Sequence, residues 1–129
     1  MSETQLLLFP PPQPLVERFG RDFFRQLPDK PGVYFLCGDD AGILYVGKAK
    51  NLRHRLSSYR SAHPERLSPR IFRLLFRVTR SYWDLCPDEA SALERERKLL
   101  LALQPRFNSA GRYPPARIVL IPPRTDTMG

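Results

Sequence analysis

The stretch Pro31–Tyr59, PGVYFLCGDDAGILYVGKAKNLRHRLSSY, constrains the fold more than any other part of the chain. It holds two short β-prone runs, Val33–Cys37 and Ile43–Val46, joined by Gly38-Asp39-Asp40-Ala41-Gly42. Branched and aromatic residues flanking turn-forming Gly and Asp predict a hairpin. Side chains alternate along a strand, so Tyr34 shares a face with Leu36 and Tyr45 shares one with Ile43. With Asp39 and Asp40 as the turn, Tyr34 falls directly opposite Tyr45. Gly47 lets another group approach the backbone just after the second tyrosine. Lys48, Lys50, Arg53, His54 and Arg55 follow at once, so two phenols stand at the head of a basic segment.

Beyond the hairpin, Lys50 to Arg60 reads as a helix with Leu52, Leu56 and Tyr59 on one face. Lys48, His54 and Arg55 lie off that face and are free to meet phosphate. Ser68-Pro69 opens another helix, with Ser as N-cap and Pro in the first turn. Ile71, Leu74, Leu75 and Val78 line its apolar side; Arg66, Arg70, Arg73, Arg77 and Arg80 recur on the other. An arginine stripe is ordinarily a solvated face. Here Glu65 is the only acid between Lys48 and Arg80, so no carboxylate on the same helix offsets the arginines. Phosphate contact by Arg70, Arg73 and Arg77 is the expectation.

Val78 to Cys86 reads as a third strand, and Pro87-Asp88-Glu89 begins a helix that runs to Leu103. The expected fold is therefore α/β (α+β): a small three-stranded antiparallel sheet flanked by helices. A Pro-rich extension and lead-in occupy residues 1–26, with Leu6–Phe9 as a tail or docking peptide and a short helix within Val16–Arg25. The main domain covers residues 27–110. Residues 111–129 form a C-terminal extension with a short strand at Ala116–Ile121 and a disordered tail.

The 129 residues suit one domain with a modest core. A net charge of +8 and a pI near 10.1 favour an anionic partner. No apolar run reaches membrane-spanning length and no leader is evident, so a cytoplasmic protein is expected. Cys37 and Cys86 lie in apolar, strand-like runs and read as packed thiols rather than a disulfide or metal site.

The last long helix offers Glu89, Glu94 and Glu96. Glu89 suits the first turn, where the helix dipole favours an acid. Glu94 groups with Lys98 as a surface pair. Glu96 falls among Leu93, Leu99, Leu100 and Leu103 at spacings of three and four, inside the apolar stripe. A carboxylate there needs a cation: a bound metal, or Arg55 or Lys48.

Gly32-Val33-Tyr34 and Tyr45-Val46-Gly47 resemble the paired signatures of the GIY-YIG nucleases. The surrounding PGVYxF and LYVGKAKNLRxRLxSY resemble the N-terminal nuclease domain of UvrC and Cho-type excision nucleases. The resemblance covers roughly Leu27 to Asn108 and concerns the nuclease module alone. It implies a metal-dependent DNA endonuclease, with a role in repair, using one Mg²⁺ or Mn²⁺. Counting back without a gap from Pro105-Arg106-Phe107-Asn108 places the family's metal-binding Glu at Glu96. Glu94-Arg95-Glu96 departs from the family's usual Leu-Leu-Glu and sets a second acid two residues away.

By the same resemblance Arg55 stabilises charge on the phosphate and Asn108 positions the metal's surroundings or the substrate strand. Tyr34 acts as general base with Tyr45 orienting water or phosphate, or the reverse. Lys48 is expected to favour the phenolate. Lys50, Arg53 and His54 join the three arginines of the stripe as nucleic-acid contacts. A protein partner that delivers the enzyme to DNA fits the same picture. The competing reading is a non-catalytic basic adaptor that keeps the fold and binds nucleic acid without cutting it.

Overall fold

The computed structural model describes residues 10–39 and 42–108. In chain order these form α1 (Pro14–Phe19), a 3-10 turn (Arg21–Gln26), β1 (Gly32–Cys37), β2 (Ile43–Ala49), α2 (Leu52–Ser57), α3 (Pro69–Arg77), β3 (Arg80–Leu85) and α4 (Glu89–Leu103). The strands make one antiparallel sheet, as expected from the sequence, and their order is β2-β1-β3. The Leu6–Phe9 segment, Asp40 of the hairpin link and the Ala116–Ile121 strand lie outside the described residues.

Register is where the structure departs from the expectation. Tyr34 pairs with Gly47, and Tyr45 pairs with Leu36. The hairpin closes where the Gly38 N–H donates to the Gly42 carbonyl at 3.0 Å, and the ladder is irregular between Leu36 and Cys37. That longer link moves the partner of Tyr34 along β2, past Tyr45. Both glycines of the paired triplets then have a packing reason. A Cβ on Gly47 would overlap the Tyr34 ring, and one on Gly32 would overlap the Asp84 carbonyl and the Leu52 side chain.

Local chemistry sets the helix ends. Asn51 caps α2, its Oδ1 accepting from the His54 N–H at 3.0 Å. The helix is shorter than the Lys50–Arg60 expectation, giving way after Ser57 to turns in which the Ser58 N–H meets the carbonyls of both His54 and Arg55. Ser68 caps α3 as expected, accepting from the Ile71 N–H at 3.2 Å, with Pro69 in the first turn. Asp88 accepts from the Ser91 N–H at 2.8 Å to start α4. Gln104, with φ of 44°, ends it.

One face of the sheet carries Tyr34 and Leu36 onto Leu52, Leu56, Tyr59, Leu74 and Leu75 in the main core. The lead-in joins the same core through Leu15 and Phe24. Pro14 sits in the first turn of α1, where its missing N–H costs nothing. Val33 and Val46 point the other way, toward α4, which packs across β1 and β2 and buries Ala92. The leucine stripe of α4 is only partly covered. Leu99 and Leu100 are half-buried, whereas Leu93 and Leu103 are exposed. The two cysteines are free thiols, Cys37 buried and Cys86 half-buried.

Candidate active site

Strand alternation puts Tyr34 and Tyr45 on the same sheet face, diagonal rather than opposite, with ring centroids 6.2 Å apart. A third phenol completes the group. Tyr59, in the turn after α2, places its hydroxyl 3.2 Å from that of Tyr34. Periodicity alone assigns Tyr59 only a packing role. The signal that marks it is a hydroxyl-bearing ring on the apolar stripe, one helical turn after Arg55.

The surroundings of Tyr34 and Tyr45 favour the neutral phenol. Burial, then the Tyr59 and Tyr45 phenols, push the Tyr34 pKa well above the ordinary 10.0. Burial, then Tyr59 and Glu96, push Tyr45 up to about 12. Arg55 opposes the rise in both cases. Tyr34 is 1% exposed, whereas Tyr45 is only half-buried, so Tyr45 is the phenol that a substrate can reach.

Lys48 does not stand beside the phenols, contrary to the expectation from sequence. It pairs with Val33 and so shares the face opposite Tyr34. The one-residue step from Gly47 reverses its direction, and its charge acts on Glu96 instead. The cation that favours the phenolate form of the tyrosines is Arg55, carried on α2.

Glu96 comes from α4, on the turn between Ala92 and Leu100 that faces the sheet. It is half-buried. Burial raises its pKa above the ordinary value of 4.5, while Lys48 and then Arg55 lower it. Among the described residues it makes no ion pair, while its neighbours Glu94 and Arg95 pair with Lys98 and Asp84. No group of three or more His, Cys, Asp or Glu gathers among the described residues. A lone, half-buried carboxylate beside phenol oxygens is a poor structural zinc site. It suits Mg²⁺, which keeps several waters and takes one or two carboxylates together with substrate phosphate.

Asn108 lies outside this cluster. Its Nδ2 donates to the Val46 carbonyl at 2.9 Å and its Oδ1 accepts from the Val46 N–H at 3.0 Å. Both amide groups are thus spent on the free edge of β2, where the Phe107 N–H also donates to the Leu44 carbonyl at 2.9 Å. Asn108 thereby ties the exit of α4 to β2. The expected DNA contacts Lys50, Arg53 and His54 are all exposed, and Arg53 also donates from Nε to the Leu27 carbonyl at 3.0 Å on the lead-in side. Arg70, Arg73 and Arg77 line a separate cleft of about 510 Å³ with Phe72, Phe76 and Phe107. Arg77 stacks over the Phe107 ring at 5.7 Å.

A three-stranded sheet whose first two strands carry interlocking Gly-Val-Tyr and Tyr-Val-Gly triplets, with a helix-borne Arg and Glu beside them, defines a GIY-YIG domain. Residues 30–109 match the UvrC-like GIY-YIG domain, and the chain belongs to that family. It is 45% identical over 91 residues to the UvrABC system protein C of Aromatoleum aromaticum, covering 68% of this chain and 14% of that one. With the Maricaulis maris protein of the same name it shares 41% over 90 residues, covering 67% and 13%. The chain thus spans a small fraction of these relatives' length. The crystal structure of the N-terminal endonuclease domain of UvrC from Thermotoga maritima, bound to magnesium as its catalytic divalent cation, aligns with a TM-score of 0.59. Identity there is 28%, over 68% of this chain and 93% of that one. Point mutants of that domain, Tyr to Phe in one case and Asn to Ala in another, are also bound to the catalytic divalent cation.

Proposed function

We propose that this chain is a metal-dependent endonuclease that nicks DNA, serving a repair pathway in the manner of the relatives whose domain it matches. The observation that carries the reading is the meeting of Tyr45, Tyr34, Tyr59 and Arg55 with Glu96 at the edge of β2, Glu96 having no ion-pair partner among the described residues. Glu96 would hold one divalent ion, Mg²⁺ or Mn²⁺, which when bound supplies Lewis-acid stabilisation of the departing 3′ oxygen. That the Thermotoga maritima domain keeps its cation after loss of a tyrosine hydroxyl or an asparagine side chain supports a carboxylate as the holder.

Arg55 binds the scissile phosphate through its guanidinium fork and offsets charge developing on the phosphate oxygens. Tyr45 orients the attacking water and, as the phenolate formed once its own proton has passed to solvent, takes the water's proton; Arg55 is the cation that eases that first loss. Tyr34 is buried, so it acts from behind, fixing Tyr59 through their shared hydrogen bond. Lys48 opposes the rise that burial imposes on the Glu96 pKa. Asn108 positions α4, and with it Glu96, by gripping Val46. Lys50, His54 and the arginines of α3 supply backbone-phosphate contacts around the cut. Residues 27–110 constitute the nuclease domain, and a protein partner delivers it to its DNA.

The test is conversion of supercoiled plasmid to the nicked form with Mg²⁺ or Mn²⁺, with and without chelator. Metal-dependent nicking that Glu96→Gln removes is the expected result. DNA binding without nicking in either metal would make the chain a basic adaptor.

A further inference from the structure

A cleft of about 480 Å³ lies between the lead-in and α2, away from the tyrosine cluster. Arg21, Arg25, Arg53, Arg60, Ser57 and Ser61 line it, and among the described residues no carboxylate does. Arg53, Ser57 and Arg60 are spaced four and three apart and so share one flank of α2 and its following turn. Arg55, two residues from Arg53, lies on the other flank, and Leu52 and Leu56 between them face the core.

The cleft is a built feature. Arg53 is anchored by its Nε to the Leu27 carbonyl at 3.0 Å, and its terminal nitrogens remain to meet a ligand. Arg60 lies over the Phe24 ring at 5.8 Å. The wall is closed where the Ala62 N–H donates to the Pro12 carbonyl at 2.8 Å and Gln13 Nε2 donates to Ser61 Oγ at 3.2 Å. Arg25 is partly offset by Asp22 at 3.3 Å, so among the described residues Arg21, Arg53 and Arg60 carry the unoffset charge. Several of these groups come from residues before position 30, outside the matched family domain.

We propose that this cleft is a second phosphate site, which takes a backbone phosphate of the DNA strand on the far side of α2 from the scissile phosphate. Guanidinium forks and hydroxyls can all donate, which is what phosphate oxygens require. Phe24, the ring on its lining, is 2% exposed and lies beneath Arg60, so the cleft holds backbone rather than base. A helix is about 10–12 Å across, so one strand passing Arg55 reaches the opposite flank within a few nucleotides. Arg55 at the cut and the Arg21–Arg60 cleft would then set which bond of a bound strand lies at the site. This placement rests on the endonuclease reading.

The test uses the full chain, without metal for binding and with Mg²⁺ for cutting. Inorganic pyrophosphate is titrated while the arginine side-chain NMR signals are followed. Affinity for a labelled DNA duplex is measured across a salt series. Pyrophosphate is expected to move the Arg21 and Arg60 signals. The Arg21→Ala/Arg60→Ala double variant no longer binds pyrophosphate, and its log–log salt slope for DNA falls by about one for each phosphate that it ceases to neutralise. Arg21→Lys/Arg60→Lys restores part of the slope. Should removal of Arg60 from the Phe24 ring unfold the double variant, Ser57→Asp introduces a carboxylate into the cleft and is expected to weaken both ligands. Unchanged pyrophosphate binding and DNA slope in both variants would overturn the site and leave the endonuclease reading intact. Pyrophosphate binding that the variants abolish, in a chain that neither binds nor nicks DNA, would overturn the endonuclease reading and confine the site to free phosphates.

Discussion

The Tyr34 ring occupies the space in which residue 47 would carry a Cβ. The tyrosine of one triplet is therefore seated on the glycine of the other, and the two motifs form one interlocked unit across the β1–β2 ladder. Gly47→Ala forces the ring, fully buried among Leu52, Leu56 and Tyr59, to move. Overpacking of this kind costs about 1–3 kcal/mol, to be read from urea unfolding. Nicking should fall as well, because the Tyr34–Tyr59 hydrogen bond moves with the ring. An alanine variant of parental stability would show that the ring has room to yield.

Asn108 mimics a neighbouring strand. Its amide meets both backbone groups of Val46 on the free edge of β2, so Asn108→Ala strands a buried N–H and a buried carbonyl. Each unpaired group costs about 1–3 kcal/mol. The variant should unfold at lower urea and also bind Mn²⁺ more weakly, since the exit of α4 loosens and Glu96 rides on α4. Lower stability with undiminished metal affinity would separate the clasp from the site.

The Glu96 carboxyl carries a raised pKa because burial disfavours its charge. A group whose folded pKa lies above its unfolded value stabilises the fold fully at low pH, and that contribution is lost as pH rises through the folded pKa. Without metal, Glu96→Gln should therefore match the parent in acid and exceed it at neutral pH. Mg²⁺ should raise the Tm of the parent and leave that of Glu96→Gln in place, with nicking abolished and DNA affinity retained. A parent more stable than Glu96→Gln at neutral pH without metal would contradict the burial argument.

Tyr45 and Tyr34 differ in access, and their phenylalanine variants should differ accordingly. Tyr45→Phe removes the reachable hydroxyl and should abolish turnover with the fold unchanged. Tyr34→Phe removes a buried hydrogen bond to Tyr59, worth about 0.5–1.5 kcal/mol, and should slow nicking without ending it. Arg55→Ala removes the cation that lowers the Tyr45 pKa, so what activity remains should shift to higher pH. Full inactivity of Tyr34→Phe beside an active Tyr45→Phe would reverse the two roles.

Much of the scaffold is legible in the residues because the forces that set it are local. A hairpin's β-prone runs, the Ser68-Pro69 start of α3 and the Asp88 start of α4 each depend on a few neighbours. So does the turn of α4 that singles out Glu96 from Glu94. The paired triplets and the segments that follow them also place Tyr34, Tyr45, Arg55 and Glu96 near one another. What stays open in the sequence depends on how distant segments meet. Loop closure between Gly38 and Gly42 sets the ladder, so Tyr34 faces Gly47 and Lys48 points to the other side of the sheet. The fold of α2 against β1 brings the Tyr59 hydroxyl to Tyr34. The free edge of β2 draws the Asn108 amide into a clasp on Val46. A one-residue step reverses a strand side chain, and an unpaired edge recruits any amide within reach. Neither outcome is visible until the strands are paired.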